Sequence, residues 1–151
     1  MPSKHIKKEF SSDEYSLQNF IDVILNVDEY KNFIPHCTKS KILEKQENAL
    51  IAEIEISFSI FKVSYISKID FNIEANKASI EVREHGKHTF KNLLNIWNLK
   101  LENEKIIIDF FVDFEMKKMI LNTAVSASLA FISEMILNSF LKRIKQVKKH
   151  H

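Results

Sequence analysis

At Lys117 the apolar residues of this chain change their spacing from every second position to every third or fourth, and that switch limits the folds open to it. Upstream, Ile108, Phe110, Val112, Phe114 and Met116 share a face opposite Asp109, Asp113 and Glu115, the pattern of a strand with one buried side. Downstream, Leu121, Val125, Ile132, Ile136, Phe140, Ile144 and Val147 fall on one face of a helix expected from about Lys117 to Lys149. Ala124, Leu129, Phe131, Met135, Leu137 and Leu141 widen that face beyond the single stripe a surface helix needs. A long helix with surplus apolar surface, coming after a run of strands, is expected to lie across a curved sheet with apolar space between them.

The rest of the pattern supplies that sheet. Lys4 to Phe10 reads as a first strand, and Ser11, Ser12 and Asp13 as turn and N-cap residues. A helix from about Tyr15 to Leu25 buries Leu17, Phe20, Ile21 and Ile24, and a short second one over Val27 to Phe33 stops before Pro35. From Lys39 the period is two. The apolar phase slips by one after Ser59, from Ile54, Ile56 and Phe58 to Val63, Tyr65 and Ile69, which places a hairpin around Ser59 to Phe61. Turns at Glu74 to Lys77, His85 to Thr89 and Glu102 to Glu104 then separate strands over Ala78 to Glu84, Phe90 to Leu101 and Ile106 to Met116. The expected class is α+β: a twisted antiparallel sheet of about six to seven strands around a long C-terminal helix, with two short helices after the first strand, all in one domain over residues 1–151.

A chain of 151 residues can bury a sizeable core, and its 45% apolar and 28% charged content is that of a soluble globular protein. The net charge of +2 does not by itself imply a polyanionic partner, and the single cysteine, Cys37, excludes an internal disulfide. Met1 to Phe10 carries neither an apolar signal core nor an arginine-rich transit segment, so the protein is expected to stay where it is made. Thr123 to Leu141 is apolar enough to suggest a membrane span, but Glu134 in its middle costs about 2.5 to 3.5 kcal/mol there. With one glycine, Gly86, and two prolines, glycine-rich phosphate loops are nearly absent.

Three blocks carry recognition value. Val27 to Cys37, with Tyr30, Phe33, Ile34 and Pro35 inside it, resembles the V-x-x-Y-P-x-F-L-P-W-C signature of the START-like family that contains the coenzyme Q-binding proteins and the bacterial ribosome association toxins. Phe90, Lys91, Leu93, Asn95 and Trp97 are similar to that family's F-K-x-L-x-N-x-W strand, and Asp109 to Glu115 to its D-F-x-V-D-F-E strand. The chain departs from the pattern at Lys31, which replaces a proline, at His36, which replaces a tryptophan, and at His88 and Thr89, which replace a Gly-Pro pair.

The resemblance implies a helix-grip fold with an apolar cavity between sheet and terminal helix, holding ubiquinone or a similar polyprenyl lipid as a bound ligand. It also implies no catalytic cofactor. The residues expected to line the cavity are Tyr30, Phe33, Ile34 and Pro35 near its mouth, Phe58, Trp97, Phe110, Val112 and Phe114 from strands, and Ala124, Val125, Ile132 and Ile136 from the helix. The leading expectation is a lipid chaperone supporting respiratory electron transport, located in the bacterial cytoplasm with peripheral contact at the inner membrane. The alternative is a toxin that binds a ribosomal subunit and blocks subunit association; a cyclase-type enzyme comes third.

Each candidate has a plainer role beside it. Tyr30 to Pro35 can plug the end of the sheet, and Trp97 can be core. Cys37 and His36 are adjacent on an extended segment and point apart, which does not suit an activated thiol. His85 and His88 lack a third metal ligand nearby, and His150 and His151 look like a frayed end. Asp109, Asp113 and Glu115 fit a solvated sheet face better than an acid–base pair. Lys142, Arg143, Lys145, Lys148 and Lys149 suit a helix C-terminus, with anionic lipid or ribosomal RNA as alternative partners.

Overall fold

The computed structural model describes residues 3–58, 61–86 and 88–148. Its strands are β1 (Ser3–Ser11), β2 (Cys37–Lys45), β3 (Ala49–Phe58), β4 (Phe61–Ile73), β5 (Lys77–Glu84), β6 (Phe90–Glu102) and β7 (Lys105–Met116). They form one antiparallel sheet in the order β1-β7-β6-β5-β4-β3-β2. Neighbours in sequence are neighbours in space, except that β1 returns to pair with β7, with Ile6 opposite Phe110. The β6–β7 hairpin turns on Asn103 and Glu104, both at positive φ (53° and 63°), as a two-residue turn between right-twisted strands requires. The phase slip after Ser59 is the β3–β4 hairpin, with Phe58 paired to Phe61; Ser59 and Ile60 lie outside the described residues, as do Lys149, His150 and His151.

Helix α1 (Leu17–Leu25) starts at Ser16, not at the Ser11 to Asp13 group expected to cap it. Ser16 and Asn19 form a reciprocal capping box, with Asn19 N–H donating to Ser16 Oγ at 3.2 Å and Ser16 N–H to Asn19 Oδ1 at 2.8 Å. The Ser11 carbonyl instead accepts from the N–H groups of Glu14 and Tyr15 and closes the preceding turn. A 3-10 turn (Val27–Glu29) and α2 (Tyr30–Phe33) follow.

The expected single helix from Lys117 to Lys149 is two helices, α3 (Met119–Ser126) and α4 (Leu129–Lys148), bent by 72° at Ala127 and Ser128. No proline or glycine causes the break. Ser128 N–H turns back to the Val125 carbonyl at 3.1 Å, and the regular ladder resumes with Ile132 N–H on the Ser128 carbonyl at 2.9 Å. Packing gives the physical reason. Leu121 joins Phe90, Phe114 and Met116 at the ends of β6 and β7, whereas Leu137, Phe140 and Ile144 pack with α1 and the middle of the sheet. One straight rod does not satisfy both, so the apolar face that looked too wide for one helix serves two directions.

Candidate functional site

Two apolar clusters fill the space between sheet and helices. In the larger, Trp97, 2% exposed, sets its ring edge-on to Phe110 (centroids 4.7 Å apart) and Phe140 (5.0 Å). Phe140 also meets Tyr30 at 5.1 Å and Phe33 at 5.4 Å, and those two meet each other at 5.9 Å. These are ordinary contact distances for aromatic pairs, so no guest fits between the rings. Their polar atoms are also engaged. The Tyr30 hydroxyl donates to the Ile24 carbonyl, and Trp97 Nε1 donates to Asn95 Oδ1 at 3.1 Å, while Asn95 Nδ2 donates to the Phe111 carbonyl at 2.9 Å. The N-x-W spacing places amide and indole on one strand face so that one satisfies the other.

The smaller cluster lies under the bend: Phe90, Phe114, Met116, Leu121 and Leu129 are buried there, with Val63, Leu93 and Val125 half-covered beside them. Tyr65 and Val112 touch both clusters and so mark the seam on the sheet side. On the helix side the seam falls at Ser133. Leu129, Ser133 and Leu137 follow at four-residue steps on the buried face of α4; Leu129 belongs to the smaller cluster and Leu137 to the larger. Ser133 is 1% exposed, and its Oγ has no hydrogen-bond partner among the described residues. Burial pushes the Tyr65 phenol well above its ordinary value, helped by the nearby Cys37 and Glu84, so it stays a neutral hydroxyl.

The structure therefore divides the expected lining. Tyr30, Phe33, Trp97 and Phe110 form the aromatic block, with Ile34 and Ile136 packed against it. Val112, Phe114 and Val125 belong to the seam and the smaller cluster, and Ile132 is half-buried. Pro35 and Ala124 are exposed, and Phe58 ends β3 with its side chain outside the described residues. Two clefts are open to solvent elsewhere. One, of about 210 Å³, lies between α1, α2 and the end of α4, with Asp22, Glu29, Arg143 and Lys148 on its walls; the other, of about 350 Å³, is polar and sits on the outer sheet face beside Asn98 and Asp109.

The departures from the family pattern are matched by new partners. Lys31, where the pattern has a proline without an N–H, donates its backbone N–H to Ser40 Oγ at 3.0 Å. Thr89, also at a pattern proline, donates its N–H to Glu84 Oε2 at 3.0 Å, and Phe90 N–H goes to Glu84 Oε1 at 2.9 Å. His36 adopts φ 69°, and its carbonyl accepts from Ser57 N–H at 2.9 Å. Ser40, Glu84 and Ser133 were missed by the sequence reading. A serine breaking an otherwise apolar four-residue stripe was the signal available for the last.

The other candidates have local partners. Asp109 pairs with His5 at 3.0 Å, Glu115 with Lys91 at 3.7 Å, and Asp113 Oδ2 accepts from Asn92 at 3.2 Å while its Oδ1 is buried without a partner among the described residues, all on the outer face. Burial raises the Cys37 thiol, the opposite of what a nucleophile needs. Among the described residues no three His, Cys, Asp or Glu side chains are grouped as a metal site requires. Within the basic end of α4, Arg143 lies over Phe33 and within 4.0 Å of Glu29, and Lys148 lies over the Tyr15 ring. At the opposite end Met119, Ile120 and Phe131 are 80%, 73% and 72% exposed. No single helix among the described residues is long and apolar enough to cross a membrane; α3 and α4 pass that test only together.

A seven-stranded antiparallel sheet closed over a C-terminal helix is a START-like helix-grip fold. Residues 14–146 match the family described as polyketide cyclase / dehydrase and lipid transport, and the chain belongs to it. It is 29% identical over 150 residues to the mitochondrial coenzyme Q-binding protein COQ10 of Dictyostelium discoideum, covering 96% of this chain and 72% of that one. It is 22% identical over 135 residues to the ribosome association toxin RatA of Rickettsia prowazekii, covering 89% and 92%. The fold is shared with a Streptomyces aromatase/cyclase, Zhui, at a TM-score of 0.71 and 14% identity, covering 95% of this chain and 94% of that one.

Proposed function

We propose that this protein is a non-catalytic carrier of ubiquinone or a related polyprenyl lipid, admitted at the seam beneath the α3–α4 bend. The observation behind this reading is the contrast in the interior: an aromatic block with engaged polar atoms on one side, and on the other an aliphatic cluster meeting a partnerless buried hydroxyl. Each methylene of an isoprenoid tail buried there contributes about 0.8 kcal/mol, so few polar contacts are needed. The interior amide of Asn95 and hydroxyl of Ser67 are both taken up in sheet contacts, which supports a binding role over an acid–base one.

The exposed Met119, Ile120 and Phe131 beside Lys117 and Lys118 suit contact with an anionic membrane at the cytoplasmic face, where the bend would receive its lipid. The basic end of α4 lies about 30 Å from the bend, at 1.5 Å per residue over the helix, and takes no part in that contact. Organic extraction of protein purified without detergent, read by mass spectrometry, tests the proposal. A prenylated quinone or other prenyl lipid is expected. Its absence, together with no uptake of added quinone, would overturn the reading.

A second reading, a translation inhibitor acting on a ribosomal subunit, is supported by the near-complete coverage of the RatA sequence and by exposed Lys142 and Lys145. Cosedimentation with ribosomal subunits that weakens steeply as salt rises would favour it over the lipid role.

A further inference from the structure

We infer that Ser133 is the polar subsite of the interior, and that the lipid it receives carries a hydrogen-bond acceptor, a ring carbonyl or ether oxygen, bound beside an aliphatic tail at the seam. This rests on the lipid-carrier reading and goes beyond it by assigning a residue and a ligand chemistry.

A serine in a helix normally satisfies its hydroxyl by turning back to the carbonyl one turn earlier. Ser139 of the same helix does this, donating to the Met135 carbonyl at 2.8 Å. Ser133 does not, although the Leu129 carbonyl stands in the equivalent place, and its Oγ is buried with no partner among the described residues. An unpaired buried hydroxyl is unfavourable, and an alanine at this position would leave Leu129 and Leu137 a continuous apolar stripe.

The position also borders the less braced half of the interior. Ser133 lies between the cluster held by the aromatic block and the one held by α3. The first is braced by α1 and α2, whereas the second is covered by a helix whose Met119 and Ile120 face outward. On this reading α3 moves about Ala127 and Ser128 to admit the ligand to the smaller cluster next to Ser133, while Trp97, Phe110 and Phe140 stay packed. Tyr65 and Val112, which touch both clusters, mark the sheet side of the seam, with the Tyr65 phenol neutral. An acceptor oxygen fits a hydroxyl donor in such a place, whereas a carboxylate or phosphate is far costlier to bury beside an aliphatic cluster.

The test compares the parent protein with Ser133→Ala, using a short-tailed ubiquinone and an alkylbenzene of equal tail length, with quenching of the single tryptophan or calorimetry as the binding readout. Ser133→Ala is expected to bind the quinone about fivefold to tenfold more weakly, to bind the alkylbenzene as before, and to melt at the same or a higher temperature when free. Unchanged quinone affinity in the variant, or equal weakening of both ligands, overturns the subsite while leaving the carrier reading in place. A parent protein that binds neither ligand overturns both.

Discussion

The two ends of helix α4 are built from similar residues and behave as opposites. Around Phe140 and Ile144 three helices and the sheet converge, every ring has ring neighbours, and the polar atoms within are paired. Around Leu129 a single short helix covers the sheet, and three large apolar side chains, Met119, Ile120 and Phe131, turn to solvent. Hydrophobicity alone does not separate a core from a binding region. The separation comes from how many elements brace the apolar surface and whether its polar atoms are satisfied.

Substitutions can break or sharpen that contrast. Trp97→Ala removes the centre of the braced end and is expected to cost about 3 to 5 kcal/mol of stability in denaturant titrations. Leu121→Ala, at the unbraced end, should cost about 2 kcal/mol, the low end for a buried leucine, and α3 amides should exchange with solvent well before those of α1. Equal losses for the two variants would erase the distinction. Glu84→Ala leaves the Thr89 and Phe90 N–H groups without their acceptor and should cost about 1 to 2 kcal/mol in the same titration. The smallest stability effect is expected for Ile120→Asp, within about 0.5 kcal/mol, together with loss of flotation with anionic vesicles. Retained flotation would remove the membrane role of the bend.

The sheet was legible from alternation because one face is solvated: the odd residues Asp109, Asp113 and Glu115 mark the outer side of β7, and Phe110 and Phe114 the inner. The C-terminal helix was legible as helix but not as two. Ser126, Ala127 and Ser128 carry no helix-breaking signal, and the bend is imposed by partners distant in sequence, Phe90 and Met116 for α3 and α1 for α4. The expected lining was harder to read for a related reason. An inward aromatic on a strand looks the same whether it lines a cavity or fills it, and only the ring-to-ring distances around Trp97 show that this one fills. Ala124 lies on the apolar arc of an unbroken helix, but the 72° bend carries it to the surface.

The most direct test of the carrier account is titration of the intact protein with a short-tailed ubiquinone, following the emission of Trp97, the single tryptophan. Saturable quenching at one quinone per chain, with the fold unchanged by circular dichroism, is the predicted result. Emission that falls only in proportion to free quinone, with no saturation and no protection of α3 from exchange, would contradict it.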